Sequence, residues 1–315
     1  MKNLFRRNRN TEGWLAINFL QDSVCLGHVQ RGSGGRPVVT LCSIEEMDPA
    51  SAPALEKLGK EMRLGSYQVS TLLRGGEYHM LAVEAPNVPP AELKTAVRWR
   101  IKDMLDFHID DATIDLLTIP IDKNAPPKSR SMIAVAARNH EIQRRINLFE
   151  ETQIPLSVID IPELAQRNIA AFIEEEGRGL AMLSLGEEGG LLTFTAHGEL
   201  YFSRHIDVSL AQLLEADSAQ RQTYFERITL ALQRSLDHFD RQFHYISANR
   251  LVLAPMPQGL GLKEYLSNNL YVPVESLDLA ALFDTSKIPA LADPTYQARC
   301  FLSLGGALRL EEKAL

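Results

Sequence analysis

The sequence predicts an α/β protein of two lobes that share one strand plan, with a small α+β unit inserted in the first lobe. Three observations predict it. Residues 13–30 read as two short strands around a turn, and residues 180–205 repeat that opening as three strands joined by glycine-bearing turns. Between these openings, the double proline Pro89-Pro90 begins a run of helix, strand, strand, helix and strand. A length of 315 residues with 45% hydrophobic composition has room for one large or two ordinary cores.

The elements follow from pattern in chain order. After the first two strands, Val38, Val39 and Leu41 mark a third over 37–44, and a helix is expected over 50–62. Strands at 68–73 and 79–84 flank Gly75-Gly76, a pair that predicts a hairpin turn between them. The insert then runs as helix 91–107, strand 113–121, a polar loop over 122–130, strand 131–137, helix 139–152 and strand 156–161. A helix at 162–176 ends in the break EEEGRG. Beyond the second meander, 210–245 is helical, with Ile228, Leu232, Ser235, Leu236, Phe239 and Phe243 at helical spacing. A strand at 250–253, a helix at 260–270, a strand at 272–277 and a helix at 293–309 complete the chain. The expected division is 1–85, an inserted subdomain 86–161, a connecting helix 162–178, a second domain 179–292, and a C-terminal helix 293–315 returning to the first.

Composition excludes several functions. Forty acidic against 33 basic residues, a formal charge of −7, disfavour nucleic acid as principal partner, because neutralising phosphates needs a basic face. No apolar run approaches the ~20 residues that cross a bilayer, and no signal-peptide core opens the chain, so a cytoplasmic location is expected. Residues 1–10 carry Lys2, Arg6, Arg7 and Arg9 beside Leu4 and Phe5, which reads either as a solvated terminus or as a segment able to touch anionic headgroups. Cys25, Cys42 and Cys300 are far apart in sequence and odd in number, which points to reduced thiols and to no metal site. There is no Walker loop, no Gly-x-Ser-x-Gly, no Cys-x-x-Cys and no His-Glu-x-x-His, and the eight histidines are scattered.

The duplicated plan resembles the actin-like ATPase superfamily: paired ribonuclease-H-like sheets with a small α+β subdomain inserted in the first domain. Within it the chain is similar to the PilM branch of type IV pilus assembly proteins, related to the cell-division protein FtsA. It also resembles the member serving the mannose-sensitive haemagglutinin (MSHA) pilus. The residues carrying the resemblance are INFLQDSVC, SLGEEGG, VLAPMPQGLGL, ITLALQRSLDHFDRQF and LSLGGALR. The family's first hairpin reads approximately Asp-x-Gly-Ser-x-x-x-Lys after a hydrophobic residue. Against it, Asn18 stands for the Asp, Leu20 for the Gly and Cys25 for the Lys. In the second phosphate loop Ser184 replaces the Asp while Gly186 survives, and Ala254 and Pro255 replace the Gly-Gly of the adenosine loop.

These replacements imply a lost nucleotide site. Phosphates in this fold need glycines that allow close backbone approach and a carboxylate that helps hold the divalent ion. Leu20 is bulky and Asn18 is neutral. Glu187 and Glu188 would repel a triphosphate, and Pro255 removes a donor and fixes φ. Arg74 and Arg204 are the cations that could instead answer those acids. GEEGG reads as a tight hairpin turn rather than a phosphate cradle.

On helix 91–107, Leu93, Val97, Ile101, Met104, Leu105 and His108 make one expected buried stripe, with Trp99 opposite it beside Arg98 and Lys102. An off-stripe Trp among cations is either an interface anchor or packed under a neighbouring element. The resemblance implies a partner: the cytoplasmic tail of a PilN-like inner-membrane protein, held in a groove between the first subdomain and the insert. The expected function is a non-catalytic adaptor, a pseudo-ATPase without cofactor, at the inner-membrane face. An active actin-like ATPase and a component similar to the type II secretion protein GspL are the alternatives.

Overall fold

The computed structural model describes residues 12–32, 35–120 and 131–310. The basic segment 1–10 and the loop 122–130 lie outside the described residues.

The first sheet starts with β1 (Trp14–Phe19), β2 (Ser23–Gln30) and β3 (Val38–Glu46), an antiparallel meander. Helix α1 (Ala52–Glu61), N-capped by Ser51, leads to β4 (Gln68–Leu72), which runs parallel to β1. Every residue of β1 is buried because the sheet is covered on both faces. Leu15, Ile17 and Phe19 pack towards Leu55, Leu58 and Phe149. Ala16 on the opposite face packs towards Phe301 and Leu304 of the C-terminal helix.

The insert follows: β5 (Tyr78–Glu84), α2 (Pro90–Ile101), β6 (Ala112–Thr118), β7 (Ser131–Arg138) and α3 (Asn139–Glu151). Its three-stranded sheet has the order β5-β7-β6. The expected hairpin between 68–73 and 79–84 does not form. β4 lies inside the first sheet, flanked by β1 and by β8 (Leu156–Asp160), so neither of its edges is open to β5, which pairs with β7 instead. The Gly75-Gly76 turn, with Gly76 at φ +81, is a crossover between sheets. Thus β5, before residue 86, joins the small sheet, while β8, within 86–161, joins the first.

Helix α2 stops at Ile101, short of the expected Phe107. Asp106 is drawn to His79 and Arg138, both at 2.8 Å, and Arg138 lies 4.3 Å over the Phe107 ring, so tertiary contacts take these residues out of helical register. Val97 and Ile101 are buried as the stripe requires, but Met104 is 52% exposed and His108 is exposed.

Helix α4 (Pro162–Ala170) enters the second lobe, where β9 (Gly179–Leu185), β10 (Gly190–Ala196) and β11 (Glu199–Ile206) repeat the meander. The expected helix over 210–245 is two: α5 (Leu210–Glu215) and α6 (Ser218–Gln242), separated by extended Ala216 and each opened by a capping box, Ser209 with Gln212 and Asp217 with Gln220. Then come β12 (Ala248–Leu253), α7 (Leu262–Asn269), β13 (Val274–Ser276), a short α8 (Leu279–Leu282) not anticipated from sequence, and α9 (Pro294–Ala307). The second sheet has the order β11-β10-β9-β12-β13, the same plan as β3-β2-β1-β4-β8.

Helices α4 and α9 lie side by side between the lobes. They touch where Gly305 abuts Ala165, and a core of Ala16, Met182, Val252, Phe301 and Leu304 draws residues from both sheets. The three cysteines, distant in sequence, meet here: Cys25 and Cys42 on adjacent strands lie under Cys300 of α9, and the hydrogen bond to Cys300, with burial, pushes the Cys25 thiol well above its ordinary range. Among the described residues no group of three His, Cys, Asp or Glu is placed to hold a metal ion, and no helix is long and apolar enough to cross a membrane.

Candidate functional site

The two meanders bring their first turns face to face. Leu20 opens the β1–β2 turn and donates its N–H to the Ser23 carbonyl at 2.9 Å. Asn18, 7% exposed, sits on β1 opposite Cys25 of β2. In the β9–β10 turn the Gly186 N–H donates to the Gly189 carbonyl at 2.8 Å, and the Gly186 carbonyl accepts from Leu210 at 2.9 Å. Ser184, also buried, donates its Oγ–H to Gln166 Oε1 at 2.6 Å. Gln166 of α4 in turn donates to the carbonyls of Met182 and Leu191 and to Thr193 Oγ1. After β12, Ala254 N–H donates to the Leu183 carbonyl at 2.8 Å, and buried Pro255 has no N–H.

The turns are joined across the cleft. Gln21 N–H donates to Glu187 Oε2 at 2.7 Å. Arg74 Nε donates to Glu188 Oε1 at 2.7 Å, and Gly75 N–H to Glu188 Oε2 at 2.6 Å. Of the two cations expected near the acids, Arg74 is there; Arg204 lies over the Phe202 ring, 5.8 Å from its centroid. Gln21 and Gln166 were not singled out from sequence, and Gly75 was read only as a turn residue, since backbone donors and a distant glutamine carry no motif.

Behind the turns lies a second buried polar group. Tyr78 OH donates to Glu163 Oε2 at 2.6 Å, and Asp160 pairs with Arg309, which also faces the Trp14 ring. Burial pushes both carboxyls above their ordinary range, outweighing the Arg309 charge on Asp160 and the Tyr78 hydrogen bond on Glu163.

The sites expected for a partner fall on the insert. Trp99 is 64% exposed, so it does not pack under a neighbouring element. Lys102 Nζ stands 5.9 Å above its ring, while Arg98 is committed to Asp110 at 3.0 Å and to the Ala112 carbonyl. Alternate residues of β7 separate two environments: Ala134 and Ala136 pack with α2, whereas Ile133 and Val135 pack towards the lobes. Trp99 is therefore on the outer side of the insert, with the small sheet between its helix and the second-lobe core that Ile133 and Val135 join. A cavity of about 210 Å³ lies where β6 approaches α4 and β11, lined by Leu116, Leu117, Thr118, Leu164, Arg167, Glu199 and Leu200.

Paired five-stranded sheets of one topology, with two helices packed side by side between them and a cleft between hairpin turns, define a two-lobed protein of actin-like fold. The structure superposes on a protein with actin-like ATPase fold and unknown function from Bacteroides thetaiotaomicron with a TM-score of 0.51 and 10% identity, covering 92% of this chain and 99% of that one. It is more similar to a chain of the PilM–PilN type IV pilus biogenesis complex: TM-score 0.73, 20% identity, 95% of this chain and 98% of that one. In sequence, no curated protein matches. The family model described as type IV pilus assembly protein PilM matches residues 38–214, more than half of the chain, and the chain belongs to that family.

Proposed function

We propose that this chain is a non-catalytic adaptor of a type IV pilus assembly platform, of the MSHA type its motifs resemble, and that its nucleotide site is vestigial. The observation that carries this reading is the state of the cleft's own groups. The N–H groups of Leu20, Gly186 and Ala254 are spent on carbonyls, the Ser184 hydroxyl is spent on Gln166, Pro255 has no donor, and Asn18 brings no charge. A nucleotide entering here would need new donors and a carboxylate for its divalent ion.

The adaptor's partner is the cytoplasmic tail of a PilN-like inner-membrane protein, through which the chain lies at the membrane's cytoplasmic face. Support comes from the likeness to a chain of the PilM–PilN complex and from Trp99, a large exposed aromatic beside Lys102 on the insert. Titrating the full chain with Mg-ATP and, separately, with such a tail tests both halves. No heat with Mg-ATP and a saturable isotherm with the tail are expected. A micromolar, magnesium-dependent ATP isotherm overturns the non-catalytic reading, and absence of tail binding overturns the partner.

A further inference from the structure

Among the described residues, three hydrogen bonds join the two facing turns, and all three have first-lobe donors and second-lobe carboxylate acceptors: Gln21 N–H to Glu187, Gly75 N–H to Glu188, and Arg74 to Glu188. Two backbone amides and a guanidinium converging on oxygens bearing negative charge are the chemistry of an oxyanion site. Both sides are built for it. A Cβ on Gly75 would lie 2.7 Å from Glu188 Oε2, so a side chain there would push the carboxylate from the position it now takes against the N–H. The turn carrying Gly75 is held from behind, since Glu77 accepts from Arg74 N–H at 2.8 Å and pairs with Arg145 at 3.0 Å and Arg144 at 2.8 Å. Opposite, the acid-bearing turn is closed by Gly186 N–H to Gly189 O. Gly189 has φ +137, and a Cβ on it would lie 2.5 Å from the His205 ring.

We propose that the first lobe keeps an oxyanion site made of Gln21 N–H, Gly75 N–H and Arg74, and that its resident ligand is the chain's own Glu187–Glu188 turn. The carboxylates sit where an external anion would otherwise bridge the lobes, so the cleft is clasped shut from within. This deepens, and rests on, the nucleotide-free reading of the cleft. A free oxyanion and the internal carboxylates compete for the same three donors. Removing the acids therefore vacates a site for a small anion such as inorganic pyrophosphate.

Amide hydrogen exchange on the full chain, measured without nucleotide, tests the clasp. In E187A/E188A the Gln21 and Gly75 amides should exchange about tenfold faster than in the wild type. Inorganic pyrophosphate at millimolar concentration should restore their protection, and R74Q added to that background should abolish the restoration. E187Q/E188Q, which keeps acceptor oxygens without charge, should fall between. Unchanged exchange in E187A/E188A, or no restoration by pyrophosphate, overturns the proposal. If the double variant also loses protection in β1 and β9, its fold is at fault, and E187A and E188A singly read the same two amides. The Mg-ATP titration of the wild type fails or succeeds separately: ATP binding there overturns the nucleotide-free reading and leaves the exchange comparison standing on its own donors.

Discussion

Gly305 of α9 lies so close to Ala165 of α4 that a Cβ built on it would fall 2.2 Å from the Ala165 carbonyl oxygen. This contact lets the two helices between the lobes approach backbone to backbone, and Asn168 Nδ2 donates to the Gly305 carbonyl at 3.0 Å beside it. Its neighbour Gly306 lies against Ala16 of β1, where a Cβ would meet the Ala16 methyl at 3.0 Å.

Gly305→Ala should therefore be strongly destabilising although alanine is the better helix former. Propensity favours the change by about 1 kcal/mol, while forcing two backbones apart in a close-packed core costs roughly 3 kcal/mol or more. Gly65→Ala, where an added Cβ meets nothing within 4 Å and φ is not positive, is the control. Thermal melts of both variants check this; equal melting temperatures would contradict the packing argument.

Asp160 and Arg309 form a pair in which Asp160 is 5% exposed. Asp160→Ala should cost about 3 kcal/mol, because it removes the buried carboxylate with which the Arg309 guanidinium pairs. Replacing both, as Asp160→Leu with Arg309→Met, should cost less than the single change, since burying the two charges is itself expensive. Urea midpoints of the two variants measure the difference.

The duplicated plan was legible in the sequence because its strands are long apolar runs: WLAINF and GLAMLSL are buried along their whole length. What was not legible depended on distant residues. The stop of α2 at Ile101 is set by His79 and Arg138, and Gly75-Gly76 signals a turn without saying whether the next strand returns to the same sheet. Asp217 followed by Gln220 was a readable capping box within the supposed single helix at 210–245. At the cleft, the replaced positions were visible one by one. The bond from Gln21 to Glu187 was not, because it spans 166 residues and its donor is backbone.

Glu163 provides a pH-dependent signature. Burial holds its carboxyl above the ordinary 4.5, with the Tyr78 hydrogen bond pulling the other way. A carboxyl whose pKa is higher folded than unfolded takes up protons on folding between the two values, so its contribution is full below 4.5 and is lost as pH rises through the folded value. Glu163→Gln removes that slope. Relative to this variant, the wild type should be more stable near pH 4.5 than at neutral pH. His28 acts in the opposite sense: burial holds its imidazole below 6.5, so stability is lost as pH falls through that value. Comparing Glu163→Gln with the wild type at each pH cancels the His28 contribution, and a pH-independent difference would refute the assignment.

Trp99 separates docking from folding. Its side chain is 64% exposed, whereas Val97 and Ile101 on the same helix are fully buried. Trp99→Ala should leave the unfolding free energy within about 0.5 kcal/mol of wild type, as surface changes do, while Val97→Ala should lower it. If Trp99 anchors a PilN-like tail, its truncation should weaken that binding by about 2 kcal/mol, roughly thirtyfold, the scale of an aromatic anchor. The chain has two tryptophans, and Trp14 is 6% exposed, so tail binding should appear as a change in Trp99 emission that Trp99→Ala abolishes. Because the small sheet stands between the Trp99 helix and the second-lobe core, a tail in the cavity among β6, α4 and β11 would leave that emission unchanged. Leu164→Gln, at a residue lining the cavity, would then weaken binding where Trp99→Ala does not.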